Sequence, residues 1–176
     1  MVPFYGHAGD EIPTDDIRSR HVYTPLEELL TRTALVELIE ERGFACQVVD
    51  PGDLRPLADG PLVGECLLLS RDRKSLETLG RHRVREHVIK NGNVVLVDLV
   101  VDAPFEAEAV LGDAEQLIPT FGEEGARRMQ QARTLYAINL PAQASTDVEC
   151  VLRDLSEVIA KEVSGCIYDS EEGRFI

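Results

Sequence analysis

The sequence predicts an α+β protein: helices packed on a mostly antiparallel sheet, with a β-α-β unit at the C-terminal end. Three observations carry this expectation. The candidate elements run helix, two strands, a stretch ending in Asn91-Gly92, a strand, two short helices and then strand-helix-strand, without the strict alternation of a doubly wound sheet. Asn93 to Val101 is apolar enough to be a central strand. Residues 146–165 combine a capping box, an apolar helical stripe and a glycine stop.

Residues 1–23 are punctuated by Pro3, Gly6, Gly9 and Pro13 and rich in acids, and read as an irregular acidic segment. Residues 24–176 read as a single α+β domain. His7, Asp10, Glu11, Asp15, Asp16 and His21 are of metal-ligating type, but their spacing matches no defined site and reads as a solvated loop. The first helix starts with Thr24 as N-cap, Pro25 at the first helical position and Glu27 completing a capping box. It runs to about Arg42, where Gly43 supplies a left-handed end. Its apolar residues cover much of the circumference, so it should be contacted on two sides.

Phe44–Val49 reads as a strand, Asp50-Pro-Gly-Asp53 as a turn and Leu62–Ser70 as a second strand. Residues 72–79 can form one or two helical turns. Beyond them two readings stand. Val84–Lys90 pairs with Asn93–Val101 in a hairpin about Asn91-Gly92, or one helix spans 72–90 with that dipeptide as its cap. Residues 104–118 read as a helix begun at Pro104 and ended by Pro119, and 123–133 as another, between Gly122 and a strand at Thr134–Leu140. Thr146 and Glu149 then form a capping box for a helix. Its Val148, Val151, Leu152, Leu155, Val158, Ile159 and Val163 share one face. Lys161 suits the C-terminal end of its dipole and Gly165 stops it. Cys166–Asp169 is a strand, Ser170–Gly173 a turn and Arg174–Ile176 a last extended piece.

The totals bound the function. A chain of 176 residues with 44% apolar and 28% charged residues is a globular domain. With 5% aromatic residues and no Trp, its core must be mostly aliphatic. No basic segment followed by a long apolar run opens the chain, and no apolar run approaches the roughly 20 residues a bilayer needs, so a cytoplasmic protein without membrane contact is expected. Cys46, Cys66, Cys150 and Cys166 form no C-x-x-C pair and read as reduced thiols, with a Cys-His nucleophile the less supported alternative. A formal net charge of −14 disfavours nucleic acid and favours a basic protein partner. No dinucleotide, phosphate-loop, zinc-protease or nucleophile-elbow motif is present, so no catalytic residue, metal or cofactor is assigned.

Against this acidity, residues 71–90 gather Arg71, Arg73, Lys74, Arg81, Arg83, Arg85 and Lys90 against Asp72, Glu77 and Glu86. The stretch reads as a face paired to acidic helices of the same fold, as a subunit or partner contact, or as a phosphate site built on Arg81, Arg83, Arg85 and Lys90.

The strand Arg133-Thr-Leu-Tyr-Ala-Ile138, the amphipathic helix after it and Gly165-Cys-Ile-Tyr-Asp-Ser-Glu-Glu-Gly-Arg-Phe175 resemble the close of small cytoplasmic bacterial immunity proteins of secreted-toxin systems and their uncharacterised relatives. The resemblance implies a protein that acts by occluding a partner's active surface, with no catalytic residue to carry over. The expected function is thus a non-enzymatic protein-binding module that neutralises a partner toxin, with candidate contacts at Glu27, Glu28, Glu40, Glu41, Glu123 and Glu124. The alternative is a small-ligand, phosphate or nucleotide-binding domain using the basic stretch.

Overall fold

Period-two patterning in the strands and two long amphipathic helices produce one seven-stranded antiparallel sheet with helices on both faces, an α+β fold. The computed structural model describes residues 17–53, 55–77, 94–106, 114–141 and 147–176. In chain order the elements are β1 (Ile17–Thr24), α1 (Arg32–Glu41), β2 (Ala45–Val49), β3 (Glu65–Ser70), α2 (Arg73–Glu77), β4 (Val95–Asp102), α3 (Ala114–Gln131), β5 (Thr134–Pro141), α4 (Asp147–Val163), β6 (Cys166–Asp169) and β7 (Arg174–Phe175). The strands lie in the order β2-β3-β4-β5-β1-β6-β7. Both β5 and β6 pair antiparallel to β1, so they run parallel to each other with β1 between them. The β-α-β unit read from the sequence is therefore present, but split by a strand from the start of the domain.

That strand corrects the reading of residues 1–23 as irregular. Residues 17–23 belong to β1, one of the central strands of the sheet, and residues 1–16 lie outside the described part. The sequence Ile17-Arg-Ser-Arg-His-Val-Tyr-Thr24 looks polar, and distant parts of the chain supply partners for its arginines, although Arg20 Nε is buried without a hydrogen bond. Arg18 pairs with Glu149 and Glu171, and Arg20 reaches Asp169 at 3.5 Å and donates to Ser156 Oγ at 3.1 Å.

A second correction concerns the first helix. Thr24 is not its N-cap. Its hydroxyl donates to Val163 O and accepts from Leu26 N–H, which ends β1. The cap is Thr31, whose Oγ1 accepts from Ala34 N–H at 3.2 Å. Gly43 does take the left-handed conformation, at φ 91°. Residues 104–106 are not helical either: Phe105 N–H donates to Arg133 O and its ring is buried. Helix α3 runs from Ala114 past Pro119 and kinks at Gly122, so the two predicted helices meet end to end. The helix-or-hairpin alternative for 72–90 falls mostly on residues 78–93, outside the described part; α2 accounts for 73–77.

One face of the sheet packs Val22, Val48, Leu67, Leu69, Val97, Leu99, Ile138 and Leu140 against Leu35 and Ile39 of α1 and Val151, Leu155, Val158 and Ile159 of α4. Each such side chain contributes roughly 1.5–3 kcal/mol when fully buried. The other face carries two clusters. Val49, Cys66, Leu68 and Leu96 lie with Leu76 of α2. Tyr23, Phe105 and Met129 lie with Phe121, Tyr168 and Phe175 under α3. The aromatic edges meet at 5.1 Å for Phe121–Tyr168 and 5.2 Å for Tyr168–Phe175. Few as they are, the rings of this chain are concentrated where α3 and the C-terminal hairpin close on the sheet. Gly165 is required by close approach: a Cβ there would lie 2.7 Å from Val22 Cγ1 and 2.9 Å from Tyr23 O.

Candidate functional site

Antiparallel pairing gathers the loops 25–31, 50–64, 103–106, 132–133 and 164–165 at one end of the sheet, and α1 starts there. Two of these loops are joined to each other. Leu62 N–H donates to Leu30 O at 2.8 Å, Arg32 N–H donates to Gly60 O at 2.9 Å, and Thr31 and Pro61 form an antiparallel bridge.

Beneath the junction lies Glu65, only 1% exposed. Its carboxylate accepts from Val63 N–H at 2.7 Å, Gly64 N–H at 2.5 Å and Arg32 Nε at 2.6 Å. Arg32 also donates through Nη1 to Ala58 O at 2.9 Å. A buried carboxylate is tolerated only when paired and hydrogen-bonded, and this one is held by three donors. Asp59, from the same loop, accepts from Thr33 N–H at 3.1 Å, and the Thr33 side chain and amide hold its carboxyl below the usual range. Asp59 thus places negative charge at the start of α1, whose own first turn contains no acid.

The other loop is fixed by two buried threonines. Thr24 Oγ1 accepts from Leu26 N–H at 3.1 Å, and Thr134 Oγ1 donates to Leu26 O at 2.8 Å. The Leu26 side chain is nonetheless 43% exposed, and Val63, whose amide is held by Glu65, is 60% exposed. Glu27 and Glu28 follow Leu26; both are exposed and neither forms an ion pair with a described residue.

From this end the solvent side of α1 continues the acidity through Glu37, Glu40 and Glu41. The ten residues of the helix extend about 15 Å. Glu37 and Glu41 stand four apart, a like-charge spacing that costs about 0.2–0.5 kcal/mol. Glu40 and Glu41 sit at the C-terminal end, where the dipole opposes negative charge, and the last turn contains no base. Arg73 of α2 pairs with Glu40. Arg71 lies over the Phe44 ring, its guanidinium carbon 4.2 Å from the centroid. Arg71, Arg73 and Lys74, the described cations of the basic stretch, are all exposed, and of these Arg73 reaches α1 and Arg71 covers the Phe44 ring.

Of the six glutamates read from the sequence as partner contacts, Glu40 and Glu41 lie at the C-terminal end of α1, and Glu27 and Glu28 lie in the loop that enters its other end. Glu123 and Glu124 lie on α3, across the sheet. Glu124 is shared by Arg127 and Arg128, whose hydrogen bonds hold its carboxyl below the usual range. Arg81, Arg83, Arg85 and Lys90, with His82 and His87, lie outside the described residues, as do His7 and the acids near it. The sequence reading missed Glu37, whose signal was its four-residue spacing from Glu41. It also missed Leu26 and Val63, which resemble core residues in a linear reading.

A second concentration of polar groups lies on the face shared by α2 and α3. Pairing puts Cys66, Asp98, Asn139 and Ser19 in one row across β3, β4, β5 and β1. Cys66 Sγ is 4.0 Å from Asp98 Oδ1. In the next row His21 Nδ1 lies 3.3 Å from the Tyr23 hydroxyl, and burial lowers the His21 pKa, which keeps the ring neutral at pH 7. Burial raises the Tyr23 pKa, with Tyr168 and Cys166 adding to the effect. It pushes the Cys46 thiol up to about 12, with Glu40 assisting, and raises that of Cys166. A raised thiol pKa opposes nucleophilic use, since the thiolate is the reactive form. Among the described residues no group of three or more His, Cys, Asp or Glu is placed to hold a metal ion, and no helix is long and apolar enough to cross a membrane.

The fold and this surface define an α+β protein with a hydrogen-bonded, loop-built end and exposed acids along α1. No protein-family model, curated protein or solved structure matches the chain.

Proposed function

We propose that the chain is a non-enzymatic binding module that captures and neutralises a basic protein partner, a toxin of the kind that bacterial immunity proteins occlude. The observation that carries this reading is the acidity of α1, of which only Glu40 has an ion-pair partner among the described residues, Arg73 of α2. Glu37, Glu40 and Glu41 repel one another and the C-terminal end of the dipole, while the N-terminal end borrows its negative charge from Asp59. Residues that break a local rule without a local gain are those a function retains. A row of exposed carboxylates accelerates capture of a basic protein and makes that rate fall with salt. The last 45 or so residues, read as resembling immunity proteins, support the same role.

The test is affinity purification of the tagged chain from its native cells at low salt, beside the Glu37→Lys/Glu41→Lys variant. The wild type should retain a basic protein that the variant loses, and co-expression of the wild type should relieve that protein's toxicity. Equal recovery by both chains, or a partner whose activity is unchanged when bound, counts against the reading.

A further inference from the structure

We infer that Leu26 and Val63 are the apolar anchors of a docking site on this protein, and that the occupant is a basic segment of a partner protein carrying a bulky apolar side chain. This rests on the proposed capture of a basic partner and says where and how the partner is held.

Two loops at this end of the sheet are built alike. Each presents one exposed apolar side chain on a backbone fixed from below by buried polar groups. Leu26 N–H and C=O are held by Thr24 and Thr134, both fully buried. Val63 N–H is held by Glu65, a buried carboxylate whose counter-charge, Arg32, also ties down Ala58 O. The two loops are joined through Leu30–Leu62 and Thr31–Pro61. A loop that only connects strands does not require a buried ion pair under an exposed valine. A docking loop benefits from one, because a backbone fixed before binding loses less freedom on binding.

Charge selects the occupant. Glu27 and Glu28 are exposed next to Leu26 without an ion pair among the described residues, and Glu106 and Glu162 stand at the same end of the sheet. Arg55, Arg133 and Lys161 are exposed cations there; Arg55 pairs with Asp53 at 3.2 Å, and Arg133 donates to its neighbour's carbonyl at 3.3 Å. The balance is acidic, and the Glu37–Glu41 ridge leads away from it along α1. Apolar anchors within a ring of charge follow the usual anatomy of an interface, in which a few buried side chains hold and the polar rim orients.

The experiment is selection of a random dodecapeptide display library on the full chain, followed by binding of the enriched peptides to Leu26→Asp, Leu26→Ala, Val63→Asp, Ile118→Asp and Glu37→Lys/Glu41→Lys variants. Leu26 and Val63 are exposed, so thermal unfolding of their variants should match the wild type, and the two independent positions keep the test open if one variant misfolds. The expected result is peptides with Lys or Arg around a bulky apolar residue. Their affinity falls about tenfold or more on Leu26→Asp and on Val63→Asp and is unchanged on Ile118→Asp, an equally exposed apolar position on α3. Basic peptides that depend on Glu37 and Glu41 but not on Leu26 or Val63 would overturn the anchors and leave the capture function standing. Peptides with no basic preference would overturn both. A dimer of the chain that Val63→Asp dissociates would assign the surface to a second copy and overturn the choice of occupant.

Discussion

Replacing Arg32 with Met should cost the protein about 3 kcal/mol of stability, the lower end of the roughly 3–5 kcal/mol expected when one partner of a buried ion pair is removed. The structure sets the size. Glu65 is 1% exposed, so the variant would leave its carboxylate buried with only the Val63 and Gly64 amides as donors. The Arg32 side chain is 18% exposed, which lets some water reach the vacated site and holds the cost at the low end. For a chain of this size the loss corresponds to a fall in Tm of about 6–12 °C. Glu65→Gln should also destabilise, because the amide NH2 would point at Arg32 Nε, donor against donor. The double variant Arg32→Met/Glu65→Gln should cost less than the two singles together by about 1–3 kcal/mol, since it removes both the orphaned charge and the opposed donors. Urea unfolding of the four proteins gives the cycle, and hydrogen exchange should show faster exchange at the Val63 and Gly64 amides in Arg32→Met. A loss below about 1 kcal/mol, or additive single effects, would refute the view that this pair fixes the loop.

Further outcomes follow from the same geometry. Tyr136→Phe removes the hydroxyl that accepts from Leu30 N–H at 3.0 Å and leaves a buried amide unpaired, so urea unfolding should report a loss of about 1–3 kcal/mol. Gly165→Ala should destabilise by about 1–3 kcal/mol through contact with Val22 and the Tyr23 carbonyl, read as a lower Tm. Glu37→Lys/Glu41→Lys keeps a like-charge pair at this spacing but replaces the acid opposed to the C-terminal end of the dipole by a base, so α1 should gain a few tenths of a kcal/mol at low ionic strength while capture weakens, and stability and binding move in opposite directions. His21 has a folded-state pKa below its ordinary value of 6.5, so the unfolded chain takes up the proton first. The stability its neutral ring contributes is complete above that ordinary value and declines as pH falls through it toward the folded pKa. Urea midpoints at pH 7.5 and 5.5 should therefore differ less in His21→Asn than in the wild type.

The parts of the fold legible in the sequence were those whose signals are local. Asp50 was recognised as a turn residue, and its carboxylate does accept from Gly52 N–H and Asp53 N–H. The apolar stripe of α4 and the run of β4 were likewise visible, because periodicity and burial coincide there. The missed elements depend on distant partners. Arg18 and Arg20 make β1 look like a loop until Glu149, Asp169, Glu171 and Ser156 are brought to them from the other end of the chain. Thr24 has the sequence context of a cap, yet its hydroxyl donates its hydrogen bond to the carbonyl of Val163, 139 positions away. The same holds for the candidate surface. Charge alone picked out Glu27, Glu28, Glu40 and Glu41, but only the fold puts two of them in the loop before α1 and two at the end of that helix, and places Glu123 and Glu124 on α3 across the sheet. Leu26 and Val63 have no linear signature, because what marks them is exposure over a fixed backbone.

The carboxylates of α1 are proposed to steer a basic protein onto this chain. The most direct test is the association rate of the captured partner measured against ionic strength, for the wild type and for Glu37→Lys/Glu41→Lys. The wild-type rate should fall steeply as salt rises, and the variant should be slower at low salt with a shallower slope. Rates that coincide at every salt concentration would contradict it.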